Sequence, residues 1–226
     1  METARLAIEL TALLPICSLG PGLLLVSRLR WSPAEKLCAA SAASFICIYL
    51  ASFGLFNRAA GAWAYWLILA CFALMGLARW RTAAILARRG ASRRILLGFL
   101  LVLIWDYLHL GLVRNFGAGN WYGDWIEHFL RTKAFLGEFP RNYPIMQAYS
   151  LAARPPMMNA IAAFFCRLTE TNFQSYSAVF LFLNAWAYVP CALLTQMFRP
   201  RMRRGAYVLA VLFMLNPSIM ENAAYP

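Results

Sequence analysis

Four side chains between residues 124 and 131 have the types and the spacing for acid–base chemistry. Asp124, Glu127, His128 and Arg131 stand at i, i+3, i+4 and i+7 in the stretch "NWYGDWIEHFLRTKAFLGEFP", residues 120–140. On a helix from Trp121 to Leu136 they share one face. A carboxylate or imidazole there can take a proton from a hydroxyl. A guanidinium can hold a phosphate through paired hydrogen bonds. Asp124, Glu127 and His128 are the candidates for such a group, and Arg131, Lys133 and Arg154 are the nearest cations. Taken singly, each of these residues reads as part of a solvated face with helix ion pairs; the reading as a site rests on the cluster. Trp125, Ile126, Phe129 and Leu130 fill the other positions, so the segment is expected to be an amphipathic helix at a membrane surface.

A second pair, Asp106 and His109, stands three residues apart near one end of an apolar run. Ionisable groups inside a span face protein or a water-filled cavity. These two either line the same site as Asp124 or pair with each other or with loop groups. Neither set has the HxxxH spacing of a helical zinc site, so no residue is assigned as a metal ligand. A divalent ion held between Asp124 and a phosphate is compatible with the chemistry; no other cofactor is implied. The six cysteines lie in apolar surroundings without a CxxC pair and read as small buried hydrophobes.

The elements that must position these groups are membrane spans. The 226 residues are 62% hydrophobic and 13% charged, against about 25% charged in a soluble domain. The apolar residues come in long uncharged runs, and a bilayer crossing needs roughly 20 of them. Six candidate spans follow: Leu10–Ser27, Leu37–Phe56, Ala59–Ala78, Ile95–Val113, Ser175–Phe198 and Gly205 to about Ala223. The runs do not alternate with period two, so helices rather than barrel strands satisfy the backbone in lipid. The expected fold class is all-α: a polytopic integral membrane helix bundle, one membrane domain over 1–226, with three N-terminal spans in 1–94 and the rest in 95–226. The N-terminus, broken by Pro15 and Pro21 and without a small-residue cleavage site, reads as a retained span.

The net charge of +12 sits in clusters between the apolar runs. Arg28, Arg30 and Lys36 follow the first span, six arginines between Arg79 and Arg94 follow the third, and "RPRMRR" follows the fifth. That is the pattern of cytoplasmic loops. It places the long segment 114–174 and both termini on the outer side, with Trp31 and Trp80 at the inner interface. With no Gly-rich phosphate loop, zinc-finger spacing or basic readout helix, nucleic acid is not an expected partner; the lipid bilayer is. "PPMMNAIAAFFCRL", Pro155–Leu168, is too short to cross and is expected to lie at the interface or to pack on the bundle.

The acid at Asp124, the aromatic short helix around it, "FLGEFP" and then Arg154-Pro155-Pro156-Met157 together resemble the polytopic glycosyltransferases of the GT-C fold. The branch they resemble more closely contains the aminoarabinose and protein mannosyl transferases. The resemblance covers residues 95–200. It implies transfer of a sugar from a polyprenyl-phosphate carrier to a glycan, lipid or protein acceptor of the cell envelope. It implies a bacterial inner membrane, with Asp124 beside the acceptor and cations such as Arg154 beside the lipid phosphate. Two departures stand out: Trp125 follows Asp124 where many relatives have Glu, and three spans precede the first family-like span. The chain is also about half the usual length, so it is expected to be an N-terminal part of such an enzyme. A non-enzymatic membrane subunit, or inactive fragment, is the alternative. A transporter or lipid flippase is a third reading, disfavoured by the uncharged middle spans and the lack of an internal repeat.

Overall fold

The computed structural model describes residues 12–112, 124–140, 143–145, 151, 156–167, 172–202 and 204–216. Among them run ten helices: α1 (Leu14–Val26), α2 (Pro33–Asn57), α3 (Ala62–Ala78), α4 (Trp80–Arg88), α5 (Gly90–Leu112), α6 (Asp124–Leu136), α7 (Met157–Cys166), α8 (Phe173–Ala185), α9 (Tyr188–Phe198) and α10 (Gly205–Leu215). No strand forms among the described residues. The protein is an all-α membrane helix bundle. Helices α2 and α5, and the continuous run Phe173–Phe198 made by α8 and α9, are each long and apolar enough to cross a bilayer.

Local chemistry sets the ends and breaks. Helix α2 opens with a capping box in which Ser32 accepts from the Glu35 N–H and Glu35 accepts from the Ser32 N–H, with Pro33 in the first turn. Between α8 and α9 the chain tightens at Trp186–Ala187, where N–H groups bond three residues back. Pro190 explains the tightening, because it cannot donate to the Trp186 carbonyl. The arginine-rich stretch after α3, expected as a loop, is helical instead. Helix α4 turns away from α3 by 54° and α5 begins at Gly90. Ala, Leu and Arg are strong helix formers. In α4 they also segregate, with Leu86 buried and Arg81 and Arg88 exposed. Exposed Trp31 and Trp80 at this end and exposed Trp63 and Trp66 at the other mark two aromatic belts.

At the N-terminal side the helices meet through small residues. A Cβ on Gly20 would strike the backbone of α3 at Gly76, and one on Gly22 would overlap the Ala40 carbonyl in α2. This is the close approach that small residues permit where burial of oil in oil gives no drive. Pro21 interrupts the α1 ladder, and the next N–H, that of Gly22, donates to Ser44 Oγ of α2 at 2.9 Å. Farther along, Gly98 makes room for Tyr188, whose hydroxyl donates to the Ala206 carbonyl at 2.7 Å and ties α5, α9 and α10 together. Aromatic side chains fill the middle, with Phe99 against Phe182 and Trp186, and Phe45 against Trp186.

Helix α7 answers the question of the short apolar segment. Every residue from Asn159 to Cys166 is buried. It packs on the bundle and does not lie at the interface: Ser52 of α2 donates to its Ala160 carbonyl, and Phe164 meets Phe72 of α3. Ten residues span only about 15 Å, so α7 is too short to cross a bilayer. The cysteines divide: Cys17 and Cys166 are buried, as expected, whereas Cys71 and Cys191 are exposed on helix faces.

Candidate functional site

Helices α6, α7 and α8 converge at the end of the bundle opposite the arginine clusters. Along α6 the stripe Glu127, Arg131, Ala134, Phe135 is buried, following the i, i+4, i+7, i+8 rule of a core-facing helix. The charged face expected to meet water is therefore turned inward, while Ile126, Phe129 and Leu130 are half-buried. The inward turn is possible because the two charges satisfy each other. Arg131 Nε donates to Glu127 Oε1 at 2.8 Å, its Nη2 lies 2.7 Å from the same oxygen, and its Nη1 donates to the Leu151 carbonyl at 2.6 Å. Arg131 is 1% exposed and Glu127 3%. A buried pair of this kind adds little net stability, but removing one partner is costly because it strands the other. Here Arg131 also ties the Leu151 carbonyl to α6.

His128 sits one residue along, half-buried, on the face turned to α7. Its Nδ1 lies 3.1 Å from Asn159 Oδ1, and its ring packs by Phe180. With a carbonyl oxygen as partner, Nδ1 donates, and Asn159 thereby fixes the orientation of the His128 ring. Thr132 folds back to the His128 carbonyl. Tyr176 of α8 closes the floor among Phe129, Phe173 and Phe180, fully buried, with no hydrogen-bond partner for its hydroxyl.

Asp124 begins α6, one turn before His128; its side chain lies outside the described residues, as does Arg154 altogether. The first turn of a helix favours a carboxylate electrostatically. Lys133 lies at the far end of α6, paired with Glu138 at 3.0 Å and resting over Phe129 and Phe139. A tight turn makes that pair possible: Gly137 at φ +84° lets the Gly137 and Glu138 N–H groups cap the Ala134 and Lys133 carbonyls.

Asp106 and His109 do not pair by hydrogen bond. Asp106 is 4% exposed and continues the core stripe Ile95, Phe99, Val102, Leu103 of α5. Its carboxylate forms no hydrogen bond or ion pair with another described residue. His109 Nδ1 donates to the Trp105 carbonyl at 3.0 Å, and the two rings stack edge to face. Tyr107 donates to the Ala178 carbonyl, which holds this end of α5 against α8. Among the described residues no group of three His, Cys, Asp or Glu gathers as a cation site.

The arrangement thus joins His128 to Asn159, joins Glu127 to Arg131, and leaves Lys133 and His109 on local partners. Asn159, Tyr176 and Arg167 carry polar chemistry here that the motif reading did not single out. Asn159 had a signal, as the one amide in "PPMMNAIAAFF". No family model, curated protein or solved structure matches the chain.

Proposed function

We propose that the protein transfers a sugar from a polyprenyl-phosphate carrier to a cell-envelope acceptor, with α6 and α7 as the reacting end. The observation that carries this reading is the His128–Asn159 contact. It joins the helix that bears the acid to the helix that follows Arg154-Pro155-Pro156, the two motifs behind the glycosyltransferase resemblance. In this reading a base at Asp124, helped by His128 Nε2, removes the acceptor hydroxyl proton as its oxygen attacks the anomeric carbon. The bond from that carbon to the phosphate oxygen breaks with inversion, and the lipid phosphate leaves as an anion. Holding the hydroxyl in line and taking its proton contributes roughly 10²–10⁴-fold. Glu127 and Arg131 serve here as the brace of α6 rather than as reacting groups, because each is buried against the other. Cations for the leaving phosphate are then sought at Arg154. The bilayer in this reading is a bacterial inner membrane with residues 114–174 outside, supported by the separation of the arginine clusters from this end.

The test is transfer of labelled sugar from polyprenyl-phosphate donors in membranes carrying the protein or Asp124→Asn. A loss of about 100-fold or more is expected at equal folded protein. Undiminished transfer by the folded variant removes Asp124 from the mechanism. A wild type with no transfer from any such donor favours a second reading, a non-enzymatic membrane subunit. The internal pairing of Glu127 with Arg131 and Lys133 with Glu138 suits that reading.

A further inference from the structure

A separate cavity of about 310 Å³ opens where the end of α2, the start of α3, the end of α6 and the end of α7 meet. Phe56, Tyr65, Phe135, Phe139 and Pro140 wall it, and Arg167 is its cation. The guanidinium carbon lies over the Tyr65 ring, 3.7 Å from the centroid, and one Nη donates to the Phe135 carbonyl at 3.1 Å. Its Nε is buried without a hydrogen-bond partner, and neither ion pair formed among the described residues includes it. Burial holds the Arg167 guanidinium below the usual arginine value, with Tyr65 partly offsetting this; the group stays charged. A half-desolvated cation with a spare donor, and with no ion pair to a carboxylate among the described residues, costs free energy that a bound anion relieves. The turn at Gly137 caps the nearby Lys133 and Ala134 carbonyls, so the mouth does not face an uncapped helix end.

We propose that this cavity binds a phosphate group through Arg167, held over the Tyr65 ring, as a site separate from the His128–Asn159 contact. Seven to eight residues of helix along α6 and α7 separate the two, roughly 10–12 Å. The volume is at the small end of the range for ligand pockets, roughly 300–1,000 Å³, so it takes a headgroup and leaves acyl chains outside. Trp63 and Trp66, exposed beside Tyr65, put the mouth at the depth of an aromatic belt, where lipid headgroups lie. The phosphate can come from a lipid or from solution, and the proposal stands whether or not the protein transfers sugar.

The test is thermal unfolding of the detergent-solubilised chain with added phosphatidylglycerol, diacylglycerol or inorganic phosphate, in wild type, Arg167→Gln, Arg167→Lys and the control Arg81→Gln. Phosphatidylglycerol should raise the transition of wild type and of Arg81→Gln, with at least tenfold weaker half-saturation in Arg167→Gln and an intermediate loss in Arg167→Lys. An Arg167-dependent shift with inorganic phosphate as well identifies the phosphate alone as sufficient; a shift with the lipid only identifies a lipid headgroup. If Arg167→Gln does not fold, the Arg167→Lys titration and the wild-type contrast between phosphatidylglycerol and diacylglycerol decide. Equal stabilisation by diacylglycerol, or unchanged half-saturation in a folded Arg167 variant, overturns the site.

Discussion

The two halves of this bundle are held together by opposite means. Around α1, α2 and α3 the contacts are glycine to backbone, with one serine hydroxyl meeting one spare N–H: Gly20 on Gly76, Gly22 on Ala40, Ser44 on Gly22. Around α6, α7 and α8 the interior contains a carboxylate, a guanidinium, an imidazole and an amide. Small residues suffice to join helices in lipid. Buried ionisable groups are expensive there and are not needed for association. The second half therefore carries buried polar groups that packing alone does not explain. Asp106 belongs with them, a buried acid on the core stripe of α5.

Substitutions in each half separate the two roles. The largest effect is expected from Gly22→Leu, which drives a side chain into the Ala40 backbone. Loss of about 3 kcal/mol or more, or of folded protein altogether, should appear in denaturant titration. Tolerance of leucine there would mean that α1 and α2 are not in contact as described. Next comes Arg131→Met, which strands Glu127 and should cost about 3–5 kcal/mol. The double variant Glu127→Gln/Arg131→Met should lose clearly less than the sum of the single losses, and strict additivity in that cycle would break the claim of a buried pair. Asn159→Leu takes the acceptor from His128 Nδ1 and should cost about 1–3 kcal/mol. It should also lower sugar transfer per folded molecule. Smallest is Gly137→Ala, about 1 kcal/mol for a left-handed residue that gains a Cβ, read as a lower unfolding transition.

Much of the first half was legible in the sequence. Uncharged runs gave the helices, but the expected span began at Leu37, whereas the Ser32–Glu35 capping box starts α2 at Pro33. The arginines between Arg79 and Arg94 misled, because charge density was read as loop, while alanine and leucine between them carry the helix through. In the second half the i, i+4 spacing of Glu127 and Arg131 allowed an ion pair. Its burial depended on a carbonyl twenty residues away at Leu151, which no local pattern reveals. The same holds for α7: its ten apolar residues fit a membrane surface as well as a bundle interior. Only the neighbours supplied by α2, α3 and α6 decide between them.

Both halves carry stability, whereas sugar transfer in the proposed reading depends on the second half alone. The most direct measurement is sugar transfer from a polyprenyl-phosphate donor, normalised to folded protein, for His128→Gln set beside Ser44→Ala. His128→Gln should cut normalised transfer at least tenfold while remaining folded, and Ser44→Ala should lower stability while leaving normalised transfer unchanged. Normalised transfer that is unchanged in both variants, so that activity follows only the amount of folded protein, would contradict the placement of the reacting end at α6 and α7.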